Sequence, residues 1–473
     1  MTALTSTLAT DEPNTVVRTN PATGEVVSRE TAHELSDCLG FVSRAAAAFP
    51  IWSAVSVDSR ADHLCALAEQ LITNRDALCA SMVQEIGASL KWANHNVDFA
   101  ARILRSVADQ AAALRAPETV RSSDTLRSEA HRVPCGVCLG IAPWNAPLIL
   151  GIRAIAAPLL CGNTVLLKGN EIAPRTFRMI GEAVIVAGFP KDVVQVFLCP
   201  GEKSEGIVDA LIEHPVVRRV NFTGSTRIGR RVAALCANHL KRPLLELGGQ
   251  APMVVLDDAD LDLAAAAAVS GGYQNQGQIC MSTERLIVQR SVADALIDKI
   301  DTLRKTLVMG DPADPATDIG PVISVAAAER LSVLVSDAVS RGARLVGGGG
   351  VRDAFFEPTL LDVVEADMRL YTEEIFGPIL TVTRVDNDQE AITVANDSDY
   401  GLAASIFSEN PDRANAIVGQ IQSGICHINR GTVDDDPGAP FGGVKASGYG
   451  RFGGRWALDE FTELRWITSR KDP

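Results

Sequence analysis

Between Val133 and Leu247 the chain alternates short apolar runs with segments of helix length, and this alternation limits the possible folds more than any other feature. The runs are Val137–Ala142, Thr164–Leu167, Val193–Phe197, Val216–Phe222 and Leu244–Leu247. A strand–helix–strand succession of this kind closes into a parallel sheet with helices on both faces. Ligands of such sheets sit beyond the carboxyl ends of the strands. The polar and small residues just after each run are therefore the ones to watch: Asn145, Lys168, Glu171, Gly224, Ser225 and Glu246.

A second set of strands and helices begins near Ala251 and includes Leu286–Gln289, Ile379–Val385 and Gly424–Asn429. The natural boundary between the two sets is the glycine-rich break Gly248–Pro252. A chain of 473 residues is in any case too long for one ordinary core. Ahead of both sets, Thr31 and Glu34 form a capping-box pattern before a helix expected to run to Phe49, where Pro50 stops it. Helical patterns follow over Ser59–Thr73, Arg75–Ile86 and Val97–Leu114. Glu118–Arg132 turns polar and alternating, as an exposed hairpin does, and a second subunit is the natural cover for its edges.

Composition removes several functions. A net charge of -14 argues against nucleic acid, which needs clustered Lys and Arg. No apolar run has the length of a membrane helix, and Met1–Asp11 lacks the basic start and apolar core of a secretory leader. Ten cysteines over this length do not form a disulfide framework, so a cytoplasmic protein is expected. Cys135 and Cys138 make a lone C-x-x-C; without a second such pair it reads as part of a strand, Val133–Ile141, rather than as a zinc or redox motif. No metal site is expected.

Four stretches carry possible chemistry. In Gly271–Arg285 a single thiol, Cys280, stands in a polar loop with Gln276, Gly277, Gln278 and Ser282. That setting suits a nucleophile better than a packing residue, although most free cysteines are inert. Phe222–Gly229 places two glycines and small hydroxyl residues where a strand meets a helix, which fits either a pyrophosphate or a plain capping turn. Lys168 and Glu171 fit contacts to a ribose or a surface ion pair. Glu246, a carboxylate closing an apolar strand, is costly unless paired or used as a base. Gly448–Gly453 matches G-x-G-x-x-G literally, but no apolar strand precedes it, so it reads as a glycine-rich loop. His427 reads as packed on a strand, and neither H-E-x-x-H nor G-x-S-x-G occurs.

In sequence order the chain carries Ala142-Pro-Trp-Asn145, Cys161-Gly-Asn-Thr164, Lys168 with Glu171, and Phe222-Thr-Gly-Ser225. Leu245-Glu-Leu-Gly-Gly249, Gln276-Gly-Gln-Ile-Cys280 and Glu373-Glu-Ile-Phe-Gly-Pro378 follow. This series resembles the aldehyde dehydrogenase superfamily over nearly the whole chain. The resemblance implies an α/β fold with a Rossmann-like NAD-binding domain (1–117 and 133–247) and an α/β catalytic domain (248–430). It also implies oligomerisation segments (118–132 and 458–473) that build a homodimer or homotetramer, and a return segment, 431–457, near the substrate entrance. Cys280 is then the nucleophile, Asn145 with the Cys280 backbone N–H the oxyanion donor, and Glu246 the base for hydrolysis. The cofactor, NAD, would meet Trp144, Lys168, Glu171, Gly201, Gly224, Ser225, Glu374 and Phe376.

Within the superfamily, Cys280–Arg285 and Leu150–Ile155 resemble the branch that oxidises salicylaldehyde, vanillin and benzaldehyde. Arg153-Ala154 stands where many relatives carry Trp-Lys, and Ala146 where many carry Phe. These departures open room for an aromatic ring, with Arg153, Ala146, Ile279 and Met281 around it, and put in doubt any proton relay that uses the missing Lys. Gly169-Asn170 replaces a common Pro-Ser without disturbing Lys168 or Glu171. The expected reaction is oxidation of a small aromatic aldehyde to the acid through a cysteine thiohemiacetal and thioester. Aliphatic, semialdehyde and CoA-acylating enzymes are the alternatives, and a catalytically idle scaffold of the same fold is the non-enzymatic one.

Overall fold

The computed structural model describes residues 14–123 and 125–470. Met1–Asp11 and the end of the C-terminal segment, 471–473, lie outside them. An antiparallel ribbon, β1 (Thr15–Thr19) and β2 (Val26–Thr31), leads into α1 (Leu35–Ser53), α2 (Val57–Thr73), α3 (Arg75–Ile86) and α4 (Leu90–Asp109). A hairpin, β3 (Glu118–Ser122) and β4 (Leu126–Pro134), follows.

The alternating region forms a sheet as anticipated. It runs β5 (Val137–Ile141), α5 (Pro147–Leu160), β6 (Thr164–Lys168), α6 (Pro174–Val186) and β7 (Val194–Phe197). Then come α7 (Gly201–Glu213), β8 (Val217–Thr223), α8 (Thr226–Asn238) and β9 (Arg242–Glu246). These five strands are parallel in the order β9-β8-β5-β6-β7. Every residue of β5 and β6 is buried, which is why they read as unbroken apolar runs. The chain steps from β5 outward to β7 and then returns to β8 on the other side of β5, so the strand order reverses beside β5 and opens a crevice at the carboxyl ends.

The second sheet contains β10 (Ala251–Val255), β11 (Thr283–Gln289) and β12 (Arg344–Gly347). The two-residue pair β13 (Val351–Arg352) and β14 (Phe355–Phe356) lies apart from it. The sheet is completed by β15 (Thr359–Asp362), β16 (Ile379–Val385), β17 (Ala403–Phe407) and β18 (Ile425–Ile428). Its order is β12-β15-β16-β11-β10-β17-β18, parallel except at β12. Helix α9 (Leu261–Tyr273) connects β10 to β11, and α10 (Arg290–Arg304) and α11 (Val325–Ser340) follow β11. Because β9 ends at Glu246 and β10 begins at Ala251, the carboxyl edge of the first sheet abuts the amino edge of the second.

Two further strands complete the fold. β19 (Gly448–Tyr449), within the stretch read as a glycine-rich loop, pairs antiparallel with the end of β9, Gly448 opposite Glu246. β20 (Thr462–Arg470) pairs along its whole length with β4, making the three-stranded sheet β20-β4-β3. Leu464, Trp466 and Val120 stand exposed on it. Among the described residues no single helix is long and apolar enough to cross a membrane.

Three local readings need correction. The box at the start of α1 is made by Glu34 and Asp37, not by Thr31 and Glu34, because β2 extends to Thr31. Pro50 does not end α1, which continues to Ser53. Trp52, fully buried and donating to the Leu159 carbonyl at 3.1 Å, holds the last turn in place; a proline there forfeits a helical bond but does not outweigh that anchor. The strand read across Val133–Ile141 is two strands, β4 and β5, broken at Cys135-Gly136, where Gly136 takes φ 128° and Asn163 accepts from both backbone N–H groups. Cys135 and Cys138 are both free thiols.

Candidate active site

Helix α9 ends at Tyr273, and the chain then makes three successive left-handed residues, Asn275 (φ 48°), Gln276 (φ 56°) and Gly277 (φ 67°). Two of these are not glycine, a strain of about 1–3 kcal/mol each that surrounding contacts must offset. The amide side chains supply them. Gln276 donates to the carbonyls of Gly87 and Pro321 at 3.1 and 2.8 Å, and Asn275 donates to the Asn145 carbonyl at 3.1 Å. Gln278 accepts from the Ile323 N–H at 2.9 Å. The Gln-rich composition of this loop thus has a structural cause as well as a chemical one. It delivers Cys280, half-buried between the buried Ile279 and Met281, just before β11.

Glu246, only 1% exposed, closes β9. Neither carboxylate oxygen has a hydrogen-bond partner of normal geometry. Burial pushes its carboxyl up to about 7; the Cys280 thiol and the Arg153 guanidinium draw it back, while Glu374 and Asp435 add to the rise. The same surroundings act on Cys280. Burial and then the Glu246 charge raise its thiol well above the ordinary value, and Arg153 opposes them. Glu246 and Cys280 therefore share one electrostatic environment. Gly249 lets their segments meet, since a Cβ there would lie 2.3 Å from the Cys280 carbonyl oxygen.

Asn145 follows β5 and is 5% exposed. Its side-chain amide donates to the Gln278 carbonyl at 2.9 Å, two residues from the nucleophile. A primary amide has two N–H groups, so one remains for a substrate oxygen. The Asn145 carbonyl is fixed by Trp92 Nε1 at 3.1 Å and by Asn275. Ala146, Ile279 and Met281 belong to one apolar cluster that also contains Trp92, Phe441 and Phe452, and Cys280 packs against it. Arg153 is placed near this wall but is not free. It pairs with Asp435 at 2.6 Å and lies over the Phe441 ring at 4.2 Å. Asp435 comes from the Asp-rich return segment, and with Asp434 and Asp436 it lines a neighbouring cavity of about 480 Å³. His427 lines that cavity as well; it is half-buried on β18, and its Nε2 is buried without a partner.

On the other side of the sheet junction lies a cleft of about 410 Å³. Trp144, Lys168, Glu171, Gly201, Gly224 and Ser225 all line it. Lys168 Nζ meets Glu171 at 3.1 Å. Ser225 is the N-cap of α8 but makes no side-chain capping bond, so its hydroxyl and the first-turn N–H groups remain for an anion. Two more cations, Arg227 and Arg231, line the cleft; Arg231 is paired with Glu205 and Asp209, also in its wall. At the inner end, Phe376 meets Trp144 edge-to-face at 5.8 Å, and Glu374 accepts from the Gly249 N–H at 3.0 Å. This donor set, with free N–H groups, small residues and a carboxylate at each end, fits an extended dinucleotide.

Several residues of the site were not anticipated from sequence. Trp92 and Asp435 act across long stretches of chain and leave no local signal. Glu284 does leave one: a carboxylate at the start of an otherwise apolar strand, the same pattern that singled out Glu246.

The junction joins a thiol, a buried unpaired carboxylate and an amide donor beside a dinucleotide-shaped cleft. Residues 8–467 match the Aldehyde dehydrogenase family. The chain belongs to that family and is an aldehyde oxidoreductase whose cofactor is NAD or NADP. It is 49% identical to a vanillin dehydrogenase of Pseudomonas fluorescens over 462 residues, covering 97% of this chain and 95% of the relative. With a salicylaldehyde dehydrogenase of Pseudomonas putida it shares 42% identity over 458 residues, 97% and 95% of the two chains. The crystal structure of salicylaldehyde dehydrogenase from Pseudomonas putida G7 complexed with salicylaldehyde superposes with a TM-score of 0.94 at 41% identity, covering 97% of this chain and 95% of that one.

Proposed function

We propose that this enzyme oxidises small aromatic aldehydes to carboxylic acids and prefers NAD to NADP. The observation that carries the reading is that Cys280 packs against an apolar cluster while its thiol and the buried Glu246 carboxylate, which lacks a hydrogen-bond partner of normal geometry, act on each other. The wall of Trp92, Ala146, Ile279 and Met281 suits a planar ring, and the relatives named for vanillin and salicylaldehyde support that choice.

In this reading Cys280 gives up its thiol proton to solvent and Sγ adds to the aldehyde carbon, whose carbonyl oxygen takes up negative charge between the free N–H of Asn145 and the Cys280 backbone N–H. Losing one such donor typically costs about a hundredfold or more in rate. A nicotinamide held by the cleft residues would supply the acceptor for the hydride that the former aldehyde carbon must lose. The acyl group stays on sulfur as a thioester. Glu246 then takes a proton from the water that attacks the thioester, and the acid and the free thiol are released. A buried carboxylate without a partner is well suited to that task and would be wasted if CoA resolved the thioester.

The cleft residues Trp144, Lys168, Glu171, Gly201, Gly224 and Ser225, with Glu374 and Phe376, hold the cofactor. Glu171, at the end of β6, disfavours a ribose 2′-phosphate by charge, although the exposed Arg227 in the same cleft partly offsets it. Of the described residues, 14–117 and 133–247 form the cofactor domain and 248–430 the catalytic domain. The segments 118–132 and 458–473 are the oligomerisation segments, and their described sheet β20-β4-β3 joins subunits, since an uncovered edge strand bearing Leu464 and Trp466 calls for a partner. The test is a panel of benzaldehyde, salicylaldehyde, vanillin and straight-chain aldehydes, each with NAD and with NADP. Higher kcat/KM for the aromatic members with NAD is expected. Preference for straight chains, or a requirement for CoA, would overturn the reading.

A further inference from the structure

Four residues beyond the nucleophile, at the start of β11, Glu284 is 2% exposed. Its carboxylate is not a stray charge. Oε1 and Oε2 accept from the Ile375 N–H at 3.0 and 2.9 Å, and Oε1 accepts from the Phe376 N–H at 2.8 Å. Phe376 takes φ 47°, the left-handed region that a bulky residue adopts only when held. The same turn is gripped from its other side, where Arg330 on α11 donates to the Ile375 carbonyl. Beside it the nucleophile loop makes direct backbone contact: a Cβ added at Gly277 would lie 2.1 Å from the Gly377 carbonyl oxygen. Burial pushes the Glu284 carboxyl up to about 8, and the two N–H groups and Arg330 draw it down. Burying a carboxylate is costly, and pairing it with donors on one short turn concentrates that cost there.

We propose that Glu284 is a positioning residue for hydride transfer, fixing the Glu374–Phe376 turn to the strand that follows Cys280 so that cofactor and nucleophile are held in one register. The inference rests on the reading of Glu374 and Phe376 as cofactor contacts. Glu284 touches neither substrate nor cofactor; it acts through the turn. An amide in its place presents an N–H where a backbone N–H now points, and the turn loosens.

The experiment compares two reactions of the same thiol in the full-length protein. Hydrolysis of p-nitrophenyl acetate without cofactor acylates Cys280 and uses Glu246 but transfers no hydride, whereas aldehyde oxidation needs both groups and the cofactor. In Glu284→Gln, ester hydrolysis stays within about twofold of the parent while aldehyde oxidation falls by about tenfold to a hundredfold, the range that misplacement by up to ~1 Å produces. NADH, followed by its fluorescence, binds more weakly, and a primary isotope effect appears with aldehyde deuterated at its carbonyl carbon. Glu284→Asp, which withdraws the charge by one methylene, gives the same split. Parallel loss of both reactions, no change in either, or failure of both variants to fold overturns the proposal. Glu374→Ala checks the underlying assignment separately: unchanged NADH binding there refutes the cofactor contacts themselves, whatever Glu284 does.

Discussion

Replacing Glu246 by Gln tests the site through stability as well as rate. The carboxyl moves from its ordinary 4.5 to about 7 in the folded protein, chiefly through burial. A raised carboxyl means that the folded state holds the proton more tightly than the unfolded one. Its contribution to stability is therefore present below about pH 4.5 and is lost as pH rises through 7. Above 7 the folded chain carries a buried charge without a hydrogen-bond partner. A change of this size corresponds to about 3 kcal/mol. Gln has the same shape and no charge, so Glu246→Gln regains that amount at pH 9 and under about 1 kcal/mol at pH 5. Unfolding entropy is roughly 2 cal/mol/K per residue, so a chain of 473 residues gains about 1 °C in Tm per kcal/mol. Thermal unfolding followed by circular dichroism should show the variant about 3 °C above the parent at pH 9 and within about 1 °C at pH 5. In the same variant steady-state oxidation falls by about a hundredfold or more, the contribution of a general base, while a single turnover of NADH persists as thioester accumulates. A stability difference independent of pH, or a parent rate whose acid limb lies at pH 4–5 rather than near 7, would refute the reasoning.

Two further outcomes follow from the same geometry. On the proposed reading Glu171→Gln removes the charge that would face a ribose 2′-phosphate, and kcat/KM with NADP relative to NAD should rise about tenfold, or ~1.4 kcal/mol; an unchanged ratio means that the carboxylate does not meet the ribose. Arg153→Ala strips Asp435 of its partner and removes the positive charge that lowers Glu246 and Cys280. The acid limb of the rate should then move above pH 7 and the ranking of hydroxylated benzaldehydes should change, and a pH profile and panel identical to the parent's would refute both effects.

The parallel sheet was legible because strands buried on both faces are apolar at every position, and β5 and β6 are such strands. Cys280 and Glu246 were legible for the opposite reason: each breaks the pattern around it, a thiol among amides and a carboxylate among leucines. What could not be read was set by pairing across distance. Arg153 meets Asp435 across 282 positions and Glu284 meets Phe376 across 92, and nothing local in either member points to the other. From sequence alone Arg153 looked available to a substrate group; in the fold it is engaged by a carboxylate and a ring, so any substrate contact must compete with them. The end of α1 shows the same limit on a smaller scale. The local rule for Pro50 was sound, but a buried tryptophan two residues on decided where the helix stopped.

The buried carboxylates argue together for where the function lies. Glu246, Glu284 and Glu374 are drawn to one junction where β9 ends and β10 and β11 begin, and each has its carboxyl raised by burial. Glu374 raises both of the others by its charge, so it adds to the cost that burial already places on them. A junction meant only for stability would be filled with apolar side chains, as the flanking strands are. Gly248 and Gly249 keep the space open instead: a Cβ at Gly248 would lie 2.6 Å from the Glu374 carboxylate, and one at Gly249 would strike the carbonyl of Cys280. The chain has omitted side chains at the point where removing charge would be cheapest, and has placed acids there. That choice is intelligible if one acid prepares water, one meets the cofactor and one holds the turn that joins them.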